Sequence, residues 1–215
     1  MVGASIDSLS VTLTDLAAQL DDDDPASWTA EQVQRARGGD KDAFAAIVER
    51  YQGMVLRTAL RLLGRIDLAQ DASQEAFLRL HRHLGRFDPA RQLAPWLYRI
   101  VVNAARDMGR RAGREPTVAL AELHESDHPA LRVEPEAIEA EAGRAEERQR
   151  LQAALLRLPR KERAAIVLRD VEGLTTAEVA EVLGSTQGTV RSQICTARLK
   201  LRRFLTEAET KETRS

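Results

Sequence analysis

Cysteine is almost absent from this sequence. The one thiol, Cys195, excludes an internal disulfide and any metal site built from several cysteines, and it suits a reducing cytosol. Aromatic residues make up only 4%, and the 12 glycines and 7 prolines are few for 215 positions, while Ala, Leu, Arg and Glu dominate. That balance favours helices over sheet. No stretch approaches ~18 uncharged apolar residues, and no basic patch leads into an apolar run at the N-terminus. Neither a membrane span nor a signal peptide is therefore expected. A Gly-rich phosphate loop is missing, as are His or Cys residues at metal-ligand spacing. His81 and His83 flank a charged helix without a nucleophile, a setting for solvated or capping histidines. The expectation is no enzyme, no cofactor and no metal.

What is present is charge, segregated into blocks that a net value of −1 conceals. Residues 1–34 hold seven acids and no Lys or Arg; residues 96–114 hold five Arg against one Asp. Residues 115–149 hold ten acids against three Arg, and residues 186–206 hold five Lys or Arg and no acid. Such blocks are either solvated faces or local attractors for phosphate, since charges act over about 10 Å in salt.

The chain reads as all-α, with two small helical domains joined by an acidic linker. Residues 1–29, with "DDDDP", form an acidic N-terminal extension, and a first domain spans 30–112. In it, Phe44, Ile47, Val48, Tyr51, Val55, Ala59 and Leu62 follow helical spacing up to Gly64. Asp67 is placed to cap the next helix, which ends at Gly85. After "RFDPARQL" a third helix runs from about Ala94 to Arg111, with Pro95 in its first turn. Residues 113–135 carry three prolines and no period, so they read as a flexible linker. A second domain spans 136–206, and 207–215 is a C-terminal tail. The second domain begins with a helix to Leu158. A short helix over "PRKERAAIVLRDVEG" follows, then "TAEVAEVLG" capped by Thr175 with Glu178 as its capping-box partner.

The end of that domain is the most specific local pattern. Leu174, Val179, Val182 and Leu183 make one apolar face before Gly184, and Val190, Ile194, Ala197 and Leu201 make another after it. A glycine turn of this length sets two helices at a steep angle with both faces inward. The outer face of the second helix then presents Arg191, Ser192, Cys195, Thr196, Arg198 and Arg202. This is a helix-turn-helix with the charge to enter a major groove.

The first domain offers two further faces. Asp67, Asp71, Gln74 and Glu75 share one side of their helix, opposite Ala72, Ala76 and Leu80. Such a stripe is either solvated or a docking face for a basic partner. On the following helix Trp96, Arg99, Asn103, Arg106 and Arg110 fall on one side, with Leu97, Val101, Ala104 and Met108 buried opposite. Trp96 alone reads as core; with Phe87 in the preceding loop, the set resembles a single-strand site where bases stack and phosphates pair.

The segments "DLAQDASQEAFLRLHRHLGRFD", "PWLYRIVVNAARDMGRR", "LRLPRKERAAIVLRDVEGLTTAEVAEVLGSTQGTVRS" and "ARLKLRR" resemble bacterial RNA polymerase sigma factors of the sigma-70 family, extracytoplasmic-function group. The likeness covers roughly residues 38–112 and 145–205, without the extra middle domain of larger sigma factors. It implies a promoter-specificity subunit in the cytoplasm. Asp67, Asp71, Gln74, Glu75 and Leu78 would dock on the clamp coiled coil of the largest subunit of core RNA polymerase. Phe87 would help form a pocket for a base flipped from the −10 element, with Trp96 and Asn103 beside it and Arg99, Arg106, Arg110 and Arg111 on the DNA backbone. The second domain would rest on the flap of the second-largest subunit and read −35 promoter DNA. Arg169, Thr189, Arg191, Ser192, Gln193, Cys195, Thr196 and Arg198 would form that surface. Members of the group are usually held by an anti-sigma factor, often membrane-bound, so such a partner is implied without membrane insertion of this chain.

Gln193 and Thr196 occupy positions that are often Arg in relatives, and Cys195 is commonly larger or more polar there. The resemblance therefore implies weaker or altered −35 readout. The acidic linker would thread polymerase channels later used by RNA. The acidic extension either shields the basic faces or is inert. An ordinary regulator with a ligand-sensing helical domain would instead need a ligand cavity and tight promoter binding without polymerase, and it gives the acidic face and the Trp–Arg–Asn stripe no task.

Overall fold

The computed structural model describes the backbone of residues 26–112 and 138–212 and the side chains of 27–112 and 147–207. The described part contains eight α-helices, a 3₁₀ turn and a π turn, and no strand. The linker expected at 113–135 and nearly all of the acidic extension lie outside the described residues.

Helix α1 (Ala26–Arg37) begins inside the segment expected to be extension. Val33 is fully buried, and the Thr29 hydroxyl lies 3.3 Å from the Tyr51 hydroxyl of the next helix. Trp28 takes the Arg50 guanidinium over its ring at 4.9 Å. The helix has little apolar period, which hid it in the sequence; a few anchoring contacts hold it instead.

Helix α2 (Lys41–Leu63) starts at Asp40, whose carboxylate accepts from the Asp42 and Ala43 backbone amides. Those bonds, chiefly that from Ala43, together with the Arg35 guanidinium, hold the Asp40 carboxyl below its ordinary range. It ends at Gly64 in the left-handed region (φ 72°), which only glycine adopts without strain. Ile47, Tyr51, Val55 and Ala59 are buried at the expected helical spacing.

Helix α3 (Ile66–His83) corrects one expectation. Its N-cap is Arg65, with no side-chain cap bond, and Asp67 lies in the first turn, paired with the Arg65 side chain. An acid in the first turn favours the helix through its dipole as well as an acid at the cap does, so composition alone does not separate the two positions. The turn Leu84–Arg86 leads to helix α4 (Leu93–Arg111). Helices α1 to α4 pack on one another around Leu80, Leu93, Leu97 and Val101, all at most 1% exposed. Each such side chain contributes roughly 1.5–3 kcal/mol by its burial.

Helix α5 (Ile138–Leu156) is followed by α6 (Arg160–Ile166), started by Pro159. The segment expected as one short helix changes to a π turn over Val167–Val171, where the Glu172 amide donates to the Val167 carbonyl at 2.9 Å. Helix α7 (Thr176–Leu183) carries the expected capping box between Thr175 and Glu178. Helix α8 runs from Gln187 to Glu212, past the expected end of the domain at 206.

The two sets of helices, expected as separate domains on a flexible linker, are packed together. Ala165, Leu168, Leu174, Val179, Ala180, Val182, Val190 and Ile194 join the same buried cluster as the first domain's core. Helix α4 meets α7, and α2 meets α5 and α6. Leu151, Leu155, Ile166, Val171, Ala197 and Leu201 form a second cluster under α5, α6 and α8.

Candidate nucleic-acid and partner interfaces

On α3, Ala72, Ala76 and Leu80 face the core, while Asp67, Asp71 and Gln74 are exposed and Glu75 is half-buried. The residues are not equivalent. The Arg65 side chain, by its hydrogen bond, holds the Asp67 carboxyl below its ordinary range. Glu75 accepts from Arg79 at 2.7 Å, and Arg79 also reaches Asp107 of α4 at 3.0 Å, so Glu75 belongs to a clamp between two helices. Hydrogen bonding to Glu75 first, and to Asp107, pushes the Arg79 guanidinium up. Asp71 and Gln74 carry no ion pair among the described residues. Beside them Leu78 is 47% exposed, large for an apolar side chain, which makes the face amphipathic.

The loop before α4 brings Phe87 and Trp96 together, with ring centroids 5.1 Å apart and a 31° tilt. Phe87 is buried and Trp96 half-buried, so Trp96 is the more accessible ring of the pair. The loop is held from α1. Arg37 donates to the Leu84 carbonyl at 3.0 Å, to Gly85 at 3.2 Å and to the Phe87 carbonyl. Nothing in the periodicity of the sequence pointed to Arg37, because its partners are backbone atoms nearly fifty residues away.

Along α4, Arg99, Arg106, Arg110 and Arg111 are exposed and Asn103 is half-buried beside them. Arg110 is paired with Asp107. Leu97, Val101 and Ala104 are buried as expected, with Met108 half-buried. A further side, Tyr98, Val102 and Ala105, is also buried, and the second set of helices covers the Tyr98 end of it.

The helix-turn-helix has both expected apolar faces inward: Val179, Val182, Val190, Ile194, Ala197 and Leu201 are all buried, and Leu183 half-buried. Gly184 takes the left-handed conformation (φ 60°) that lets the chain turn. Thr189 is exposed at the start of α8, its hydroxyl 2.9 Å from that of Thr186. Arg191, Ser192 and Cys195 are exposed, and Gln193 and Thr196 are half-buried. Arg198 is committed elsewhere: it grips Asp170 through two bonds of 2.7 and 2.8 Å, which pushes its guanidinium up. Arg169 donates to the Leu174 carbonyl at 3.1 Å. These two cations brace the helix-turn-helix; Arg198 is also exposed, whereas Arg169 is half-buried.

The faces therefore consist of an amphipathic acidic surface, a cation-and-aromatic surface and a groove-width basic helix. Among the described residues no helix is long and apolar enough to cross a membrane. Comparison with known proteins finds the same units in the same order. Residues 47–115 match the family Sigma-70 region 2, and residues 148–201 match Sigma-70, region 4. The chain is 37% identical over 176 residues to RNA polymerase sigma-H factor of Pseudomonas aeruginosa, covering 77% of this chain and 88% of that one. It is 31% identical over 186 residues to ECF RNA polymerase sigma factor SigW of Bacillus subtilis, covering 81% and 95%. In fold it is similar to CnrH, solved in complex with the cytosolic domain of CnrY, with a TM-score of 0.59, 27% identity and coverage of 84% and 98%. With both regions matched and relatives above 30% identity over nearly their whole length, this chain belongs to the sigma-70 family, in its extracytoplasmic-function group of RNA polymerase sigma factors.

Proposed function

We propose that this chain binds core RNA polymerase, brings it to promoters through their −35 and −10 elements, and helps melt the −10 element to start transcription. The observation that carries this reading is that region 2 and region 4 occur in one chain while Asp71, Arg99 and Arg191, one from each face, all remain exposed. Asp71, Gln74 and Leu78, with Asp67 and Glu75, meet the clamp coiled coil of the largest subunit. Arg191, Ser192, Cys195 and Thr196, flanked by Thr189 and Gln193, read the −35 duplex, with Arg169 and Arg198 at its edge, while the domain rests on the flap of the second-largest subunit. Arg99, Arg106, Arg110 and Arg111 hold the −10 backbone, and Phe87, Trp96 and Asn103 receive an unpaired base. Extruding a base costs a few kcal/mol, so a site that stacks it shifts the balance toward melted DNA without an energy source. The work belongs to the cytoplasm, where core polymerase meets the chromosome. A protein partner of the anti-sigma kind would bind the free chain; the similar CnrH is solved in complex with the cytosolic domain of CnrY.

Run-off transcription with core polymerase on a promoter library tests the reading. Initiation dependent on this chain at a defined subset supports it, and failure to initiate anywhere sinks it. Two residues refine the test. Thr196→Arg adds a cation to the reading face and is expected to raise affinity for −35 duplex by about tenfold and to change its base preference, as one bidentate contact does. An unchanged binding isotherm and unchanged preference would remove Thr196 from the surface. Arg37→Ala is expected to slow melting by about tenfold, since a charged donor to three loop carbonyls is lost. Permanganate reactivity of −10 thymines reports this, while −35 binding stays the same; equal reactivity would show that Arg37 does not position the Phe87 loop.

A further inference from the structure

A cleft of about 100 Å³ is lined by residues of α2, α3, α4 and α6. Its floor is apolar: Leu63 and Leu68 come from the α2–α3 corner, Val102 and Ala105 from α4, and Ala164 from α6. The exposed residues around it are all cations, Arg106 of α4 with Arg160 and Lys161 of α6, and Arg65 is half-buried beside them. The chain carries 33 acidic residues, yet none lines this cleft. Some of the positive charge is already engaged. Arg65 pairs with Asp67, Arg160 donates to the Gly109 carbonyl at 3.1 Å, and Arg163 bonds helix-end carbonyls. Arg106 and Lys161 carry no ion pair among the described residues.

Cations gathered over a low-dielectric floor raise a positive potential that draws an anion in. The floor asks for something else, since an apolar hollow gains most from an apolar group. A dry cavity of roughly 150 Å³ takes a benzene ring, so a cleft of this size that is open on its cationic side can seat one ring. A phosphate monoester supplies the other half: close to two negative charges near neutral pH and three acceptor oxygens, against a guanidinium and an ammonium. We propose that this cleft binds a small phosphate monoester with a compact apolar group, the group resting on Leu63, Val102 and Ala105 and the phosphate held by Arg106 and Lys161. Arg106 is also among the cations assigned above to the −10 backbone. One guanidinium cannot hold both phosphates, so the ligand and −10 DNA compete. Only this consequence rests on the sigma-factor reading; the site itself does not.

Phenyl phosphate titrated into the full chain, followed by amide chemical shifts, tests the site. Saturable binding is expected with a Kd of about 0.1–1 mM, ordinary for a ligand of this size, with shifts centred on Ala105, Gly109 and Ala164. Inorganic phosphate, benzoate and benzyl alcohol, which lack the ring, the second charge and all charge respectively, should each bind about tenfold more weakly or less well still. Gly109→Met is designed to fill the cleft. A Cβ at Gly109 would stand 3.6 Å from a Leu63 methyl and 3.8 Å from the Arg160 guanidinium, ordinary contacts, and methionine favours a helix over glycine. Binding should disappear in it. Lys161→Glu changes an exposed side chain and should weaken binding by about tenfold, which covers the case in which Gly109→Met does not fold. No saturation by about 10 mM in the parent, or binding undiminished in both variants, overturns the site. Equal binding of inorganic phosphate overturns the apolar seat, and equal binding of benzoate overturns the choice of phosphate. In run-off transcription at limiting chain, phenyl phosphate at ten times its Kd should lower the yield by up to about tenfold for the parent and leave Gly109→Met unaffected. An unchanged yield from a chain that binds phenyl phosphate overturns the competition and keeps the site. A chain that binds phenyl phosphate and never initiates removes the sigma-factor reading instead.

Discussion

Replacing Arg163 by alanine is expected to lower stability by about 3–5 kcal/mol, a large part of the 5–15 kcal/mol typical of a domain. Arg163 is 2% exposed and sits where two helix ends converge. It donates to Leu155 at 2.9 Å, Leu156 at 2.7 Å and Leu158 at 2.9 Å at the end of α5, and to Leu62 at 2.6 Å at the end of α2. The last carbonyls of a helix have no partner within it, and they carry the negative end of its dipole. One guanidinium satisfies three of them, together with the Leu158 carbonyl just beyond α5, and is itself neutralised by their partial charge. Alanine leaves these acceptors facing a void and removes a large packed side chain. Urea unfolding followed by circular dichroism should show the midpoint falling with the slope unchanged. Lysine should recover only part of the loss, because one compact ammonium cannot span the same carbonyls. A midpoint within error of the parent would mean that water replaces the guanidinium at no cost.

Asp71→Lys is expected to weaken binding to core polymerase by about a hundredfold at low salt, and by less as salt rises. The residue is exposed, carries no ion pair among the described residues and shares its face with Gln74 and Leu78. Reversing its charge against a basic partner exchanges an attraction for a repulsion while leaving α3 intact. Glu75→Lys is a poorer probe, because it would also place a cation against Arg79 and disturb the link to Asp107. Helical content and unfolding midpoint should be the same for Asp71→Lys and the parent, so a loss of binding reports the interface. Undiminished affinity would remove this face from the polymerase contact.

The all-helical class, the helix-turn-helix and the capping box at Thr175 were legible because each is local. Their signals recur within a few residues: a 3.6-residue period, a glycine able to take positive φ, an acid three places after a threonine. The exposed faces of α3, α4 and α8 followed from the same periods. What was not legible depends on distant partners. An acid after a short helix reads as solvated, yet Glu172 is buried because three donors arrive from positions 58, 61 and 98. Arg198 reads as a free groove-facing cation until Asp170 is placed beside it. One trace of the domain packing was present and carried no weight. In "WLYRIVVNAARDM" the apolar residues cover an arc too wide for a helix buried on one side, and Tyr98, Val102 and Ala105 are the excess.

The π turn at Val167–Val171 gives the last of these points a different form. A π turn holds one residue more than the α-helical turn it replaces, so everything after it is rotated by about 100° around the axis relative to an uninterrupted helix. Glu172 is the first residue after that turn, and its direction depends on the surplus position before it. Whether the two halves of the molecule recognise each other is thus encoded in a count of residues as much as in their kinds.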